Sequence, residues 1–294
     1  MTADFKDTIE PTVCRFNWGG AQVTTVLEGR IVRDAVNPPF ALEKTEEELA
    51  EIGKANNIPG DRFEHVFVPT VINTGGKLVL FDAGFGPKAG AANGAGHLRS
   101  GLAAAGYAPE DIDIVALTHV HPDHILGLLQ DGQPAFPKAQ MMIGRREFDE
   151  WNSGANIPDQ RRQNREMFLT HVAPFAERMT FLEDGDAVAP GITAEAAFGH
   201  SLGHMMYRFE GEGRQLLVWG DVTNHYVYSL QYPDSMVGFD DDKDAARVTR
   251  NRVLDMVASD GLLVAGHHMP FPSIGYVEKT SSYRWVPASY QHRL

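Results

Sequence analysis

THVHPDHILG, residues 118–127, sets three histidines and one aspartate within the six positions from His119 to His124. It follows the apolar run Ile112, Ile114, Val115, Ala116 and Leu117, so the cluster stands where a buried strand leaves its sheet. Strand ends gather functional groups because the hydrogen-bonded ladder fixes the backbone while the following loop exposes the side chains. His119 and His121 are two residues apart, and an extended backbone sends both imidazoles to one side. Pro122 predicts a turn in place of helix, which re-aims Asp123 and His124 toward a neighbouring point. Two adjacent cation subsites are the expectation.

Three further apolar runs end in the same way: ITAEAAFGH at His200, QLLVWGD at Asp221, and LLVAGHH at His267 and His268. If these ends meet, one subsite could hold His119, His121 and His200, and the other Asp123, His124 and His268. Asp221 suits a bridging place, because a carboxylate offers two oxygens to two cations about 3.5–4 Å apart. Within GHSLGH, His200 and His204 compete, and spacing does not choose between His267 and His268.

Composition narrows the function. The 294 residues are 43% hydrophobic, enough to bury a large core, and one domain spanning residues 1 to 294 with an N-terminal extension of about 15 residues is expected. A formal net charge of −13 repels phosphate backbones and anionic bilayers, so neither nucleic acid nor membrane is an expected partner. Cys14 is the only cysteine, which excludes a disulfide framework and a thiolate metal site, so any metal must rest on histidine and carboxylate. MTADFKDTIEPTVCRF lacks the basic and apolar regions of a signal peptide, and no run approaches about 18 apolar residues, so a soluble cytoplasmic protein is the default expectation.

Along the chain, FNWGGAQVTTVLEGRIVR (16–33) predicts a Gly-punctuated hairpin, and ALEKTEEELAEIGKANNIPG (41–60) an acidic surface helix. FVPTVINTGGKLVLFDAG predicts two strands joined across Thr74, Gly75 and Gly76. A helix near His97 to Ala105, a helix starting over His124 to Leu129, and a largely helical stretch from Arg145 to Glu177 follow. Strands then return, with a last helix over Asp242 to Ala258. Strands mixed with helices throughout indicate a layered α/β domain with some antiparallel pairs.

HVHPDH resembles the HxHxDH signature of the metallo-β-lactamase superfamily, and GHSLGH, VWGD and FDAG resemble that superfamily's third-histidine, bridging-aspartate and strand-end segments. Within it, the closer likeness is to the methyl parathion hydrolase branch. It runs from about Phe16 to the C-terminus and includes NTGGKLVLFDAG, AFPKA, GHHMPFPSIGYV and YRWVPASY. The resemblance implies a four-layer αββα sandwich, in which His119, His121 and His200 bind one metal, Asp123, His124 and His268 the other, and Asp221 both. The ligand of that branch precedes a hydrophobic-Pro-Phe-Pro unit, which selects His268, and the first histidine of GHxxGH selects His200. Asp82 and His204 would stand behind the ligands, Asp82 fixing a ligand imidazole's tautomer. Phe85, Trp151 and Phe168 would wall a substrate pocket. SLGH in place of TPGH and the extra His267 depart from the pattern without removing a ligand.

The function implied is hydrolysis of neutral, hydrophobic esters: lactones or carboxylic esters first, phosphotriesters as a further activity. Asp123 and Asp221 are the candidate catalytic carboxylates, at a water activated between two divalent cations. Tyr226 and Tyr228 are candidates to move a proton or orient substrate. The donor set suits Zn²⁺ first, with Mn²⁺, Fe²⁺ or Co²⁺ as alternatives. A homodimer is implied only by the resemblance. An iron-dependent redox protein of dioxygenase type, or a thioester hydrolase of glyoxalase II type, are the competing readings. The intact second subsite speaks against the first, and the strand-like C-terminal segment against the second.

Overall fold

The computed structural model describes residues 10 to 91 and 94 to 288. The first nine positions of the expected N-terminal extension therefore lie outside the described residues, and the first strand begins at Val13.

Two seven-stranded sheets dominate. The first runs Val13–Trp18, Ala21–Val26, Thr70–Asn73, Leu78–Phe81, Ile114–Leu117, Gln140–Gly144 and Thr180–Leu182 in spatial order. Its first four strands are antiparallel, joined through turns such as Gly19-Gly20, and its last three add in parallel. The second runs Ala187–Ala189, Ile192–Ala196, Met205–Gly211, Arg214–Val218, Leu263–Ala265, Ile274–Lys279 and Tyr283–Pro287. Only the pairing of Arg214–Val218 with Leu263–Ala265 is parallel, and the helix Lys243–Asp260 makes that crossover.

Alternation along the strands assigns each side chain to a layer. Val79, Phe81 and Ala116 of the first sheet meet Tyr207, Phe209, Leu216 and Val218 of the second in the central core. Leu80, Val115 and Leu117 face the other way, onto the helices Leu98–Ala104, Arg145–Ser153 and Arg162–His171. Leu217, Trp219 and Val264 pack outward onto Val253, Leu254 and Val257 of the last helix. Each such aliphatic side chain contributes roughly 1.5–3 kcal/mol on burial. The result is helix, sheet, sheet, helix: the expected four-layer αββα sandwich.

Two local expectations are corrected. Residues 29 to 33 do not extend the first hairpin; Gly29–Arg33 pairs with Phe63–Phe67 in a separate two-stranded ribbon. The helix expected from His124 to Leu129 starts earlier and is one turn long, Pro122–Ile125, followed by a 3₁₀ turn over Leu126–Leu128. Pro122, expected to give a turn in place of helix, instead opens this one, because the first helical position needs no donor N–H. The acidic helix forms as Glu46–Ala55, with Thr45 and Glu48 closing a reciprocal cap.

Candidate metal centre

The four strand ends converge. His119 and His121 leave the strand Ile114–Leu117 with ring centroids 4.6 Å apart, and the His200 ring lies 4.7 Å from each. His119, His121 and His200 form one group of donors close enough for a single cation, and Asp123, His124, His267 and His268 form a second. Asp221 stands between them. Its Oδ2 is 3.2 Å from His200 Nε2 and 3.0 Å from His268 Nε2, and its Oδ1 is 3.4 Å from His124 Nε2.

Each imidazole is held by one nitrogen and presents the other. His119 Nδ1–H donates to Thr118 Oγ1 at 3.0 Å, and that hydroxyl donates to Asp82. His124 Nδ1 lies 2.8 Å from Asp82 Oδ2, His200 Nδ1 2.9 Å from Asp240 Oδ1, and His268 Nδ1 2.7 Å from the Val66 carbonyl. His121 is turned the other way: Nε2 meets Asp241 Oδ2 at 3.2 Å and Nδ1 faces inward, 3.0 Å from His200 Nε2. Such outer hydrogen bonds fix which ring nitrogen carries a proton and leave the inner lone pair free for a metal. Among the described residues, His119 Nε2, His124 Nε2 and Asp221 Oδ1 are buried without a hydrogen-bond partner, an arrangement that costs free energy unless a further group satisfies it. The set of nitrogen and carboxylate donors fits a dinuclear divalent metal site.

Charge in the cluster tells the same story. Against burial, which favours the neutral ring, Asp221 and Asp240 hold the His200 imidazole up at about 9. Burial, reinforced by the neighbouring His124 and His121, pushes His119 well below its ordinary range. Despite burial, His268, His124 and His200 keep Asp221 well below the usual carboxylate range. Asp221 thus stays ionised, and the inner nitrogens of His124, His200 and His268 face it.

The residues behind the cluster explain its rigidity. His204 Nε2 accepts the Asp221 N–H at 3.0 Å, so this histidine orients the turn carrying the aspartate. At that turn Gly220 takes φ +55°, and a side chain there would strike His204 and Thr118. Sequence reasoning found Asp82 and His204 but missed Glu147, Asn224, Asp240 and Asp241. Asn224 Nδ2 donates to Asp221 Oδ2 at 2.8 Å, while Asp240 and Asp241 are backed by Arg250 and Arg161. Asn224, three residues after Asp221, was the one with a local signal.

The aromatic walls differ from expectation. Trp151 and Phe168 are fully buried in the core between sheet and helices, Trp151 donating to Ser201 Oγ and touching the back of His121. They support the centre from within because their helices turn these faces to the sheet. Phe85 is half-buried and stacks edge-on against Phe67, which in turn meets His268. A cavity of about 260 Å³ opens instead beside His268, lined by Phe63, Val66, Tyr226 and Phe271 with the exposed Arg62 and Glu64. The Tyr226 hydroxyl makes no hydrogen bond to the described residues, whereas Tyr228 donates its own to the Pro59 carbonyl at 2.6 Å.

No helix among the described residues is long and apolar enough to cross a membrane. No curated protein matches the chain in sequence. Among solved structures, the chain resembles the hydrolase AbOPH of the beta-lactamase superfamily at 26% identity, TM-score 0.86, covering 95% of this chain and 98% of that one. AidC, a dizinc quorum-quenching lactonase solved in complex with a product, superposes at TM-score 0.85 with 23% identity, covering 94% and 97%. An N-acyl homoserine lactone hydrolase with product at its catalytic metal centre gives TM-score 0.63 at 17% identity, covering 90% and 100%. The family model of the metallo-beta-lactamase superfamily matches residues 68–268, the stretch that carries every residue of the cluster, and the chain belongs to that superfamily.

Proposed function

We propose that the protein is a dinuclear metal-dependent hydrolase of neutral, hydrophobic esters, acting on lactones or carboxylic esters and, by the same chemistry, on organophosphate triesters. In this reading His119, His121 and His200 hold one divalent cation, Asp123, His124 and His268 the second, and Asp221 both. Zinc is the first choice for the donor set, and the dizinc lactonase among the similar structures supports it.

The observation that carries the reading is the shared orientation of five imidazoles, each fixed from outside and each presenting a nitrogen to the space around Asp221. A bound cation pair supplies a water of lowered pKa and stabilises the oxyanion that forms on attack. The chain's own groups do the rest. Thr118, Asp82, Asp240, Asp241 and the Val66 carbonyl keep the donors oriented before substrate arrives. Burial notwithstanding, His124 and His268 keep Asp123 ionised, so it serves as an acceptor at the site. Phe63, Val66 and Phe271 give the adjoining cavity apolar walls for a hydrophobic acyl or aryl group, and Tyr226 offers it one hydroxyl.

The similar structures named for lactone cleavage support lactones as the first substrates to try. Purified protein should be assayed with phenyl acetate, an N-acyl homoserine lactone and a paraoxon-like triester, each with and without chelator. Metal-dependent turnover of at least one is expected; none on any would overturn the reading.

A further inference from the structure

The second donor group contains one histidine more than the reading above assigns. His267 and His268 follow the strand Leu263–Ala265, and alternation would send successive strand side chains to opposite faces. The chain turns here instead, with the Met269 N–H donating to the Gly266 carbonyl at 3.2 Å. Gly266 permits the turn, since a side chain there would strike Met269 and Trp219. The His267 carbonyl is anchored in its turn by the Val68 N–H at 2.9 Å. Both rings therefore reach the same side, 4.8 Å apart and nearly perpendicular.

His267 is buried, its ring lies 4.2 Å from that of His124, and its Nε2 has no hydrogen-bond partner among the described residues. Its donor lies within 4.8 Å of those of Asp123, His124 and His268. An imidazole nitrogen buried beside three metal-type donors and left without a partner is costly unless a further group satisfies it, and with the ring proton on Nδ1 a cation at Nε2 would do so.

We propose that His267 is a further donor to the Asp123, His124 and His268 subsite, so that two successive imidazoles of one turn serve the same cation. The inference rests on the dinuclear reading and adds to it an asymmetry: this subsite has four donors besides the shared Asp221, the other three. The second cation is then the more tightly retained. His268 keeps the larger role, because the Val66 carbonyl fixes its tautomer and the described backbone gives the His267 ring no such partner.

The test uses the full chain, stripped of metal and titrated with Zn²⁺ in competition with a chromophoric chelator, and with Co²⁺ followed by its ligand-field absorption. His267→Phe keeps a ring of similar size against His124 and removes the nitrogens; His267→Ala removes both. Wild type should bind two cations, the tighter one weakened roughly tenfold or more in both variants with the other unchanged, and the Co²⁺ spectrum altered. If His267→Phe binds both cations as wild type does, with an identical Co²⁺ spectrum, His267 is a spacer and the inference fails while the dinuclear reading stands. If wild type binds no pair of cations, the reading fails and takes the inference with it. Thermal melts of the metal-free variants, matching metal-free wild type, show that the fold is intact.

Discussion

Glu147 Oε1 accepts a hydrogen bond from the Val120 N–H at 3.0 Å, and the same carboxylate accepts from Ser201 Oγ at 2.6 Å and from the Gly203 N–H at 2.8 Å. Val120 separates His119 from His121, and Ser201 follows His200. One fully buried side chain on the helix Arg145–Ser153 thus ties together the two loops that supply the first donor group. Gly203 is glycine because a side chain there would meet the Glu147 backbone at 2.1 Å. Glu147→Ala strands three buried donors, each costing about 1–3 kcal/mol, so urea unfolding should show a loss of roughly 3 kcal/mol or more. An unfolding midpoint equal to wild type would refute this bracing role.

Asp240 and Asp241 are neighbours in sequence with unequal stakes. Asp240 joins His200 to Arg250, a guanidinium almost completely buried, with Arg250 Nη2 to Asp240 Oδ2 at 2.6 Å. Asp241 joins His121 to the more accessible Arg161. Asp240→Asn leaves a buried charge without its counter-charge and should cost about 3–5 kcal/mol in stability. Asp241→Asn should cost less in stability and instead lower metal affinity by roughly 10–100-fold through the freed His121 ring. Chemical denaturation and metal titration of both variants separate the two effects; the reverse ranking in stability would count against this assignment.

His225 makes the fold sensitive to acid. Burial lowers its imidazole from the ordinary 6.5 to about 3, and its Nδ1 accepts the N–H groups of Val227 and Tyr228 at 3.0 and 3.2 Å. Because the folded value is depressed, the stabilisation is complete above pH 6.5 and is lost as pH falls from there toward about 3. Over that window wild type should lose about 1.4 kcal/mol per pH unit more than His225→Asn, whose side-chain oxygen accepts hydrogen bonds without titrating. Parallel slopes for the two proteins would show that His225 is not the sensor.

Tyr226 brings a hydroxyl to the cavity that has no hydrogen-bond partner among the described residues. Tyr226→Phe should lower kcat/KM for an ester substrate about 3- to 10-fold, the worth of one neutral hydrogen bond, with metal content unchanged. Equal kcat/KM would mean that the hydroxyl does not touch substrate.

The donors were legible in sequence to the extent that chemistry is local. The HVHPDH hexapeptide declares itself by density and Asp221 by its place at the end of an apolar run, whereas the choice of His200 over His204 and of His268 over His267 came only from the family resemblance. Asp82 was implied by the likeness of FDAG to the family's strand-end segment, and its Oδ2 lies 2.8 Å from His124 Nδ1. Glu147, Asp240 and Asp241 were not, because a single carboxylate on a helix, or one within FDDDKD, has the pattern of a solvated charge. Only the folded chain reveals that they point inward. Trp151 and Phe168 were misplaced for a related reason: an aromatic residue carries the same sequence signal whether it packs a core, as these two do, or lines a cavity, as Phe271 does.

The most direct test of the account is elemental analysis of the wild-type chain and of Asp221→Ala, purified alike and read beside lactone and ester turnover. Asp221 touches both donor groups, so wild type should carry two divalent cations per chain and the variant should lose occupancy of both, with turnover at least ~10³-fold lower. A variant that keeps two cations and wild-type turnover, or a wild type that hydrolyses these substrates equally well after chelation, would contradict it.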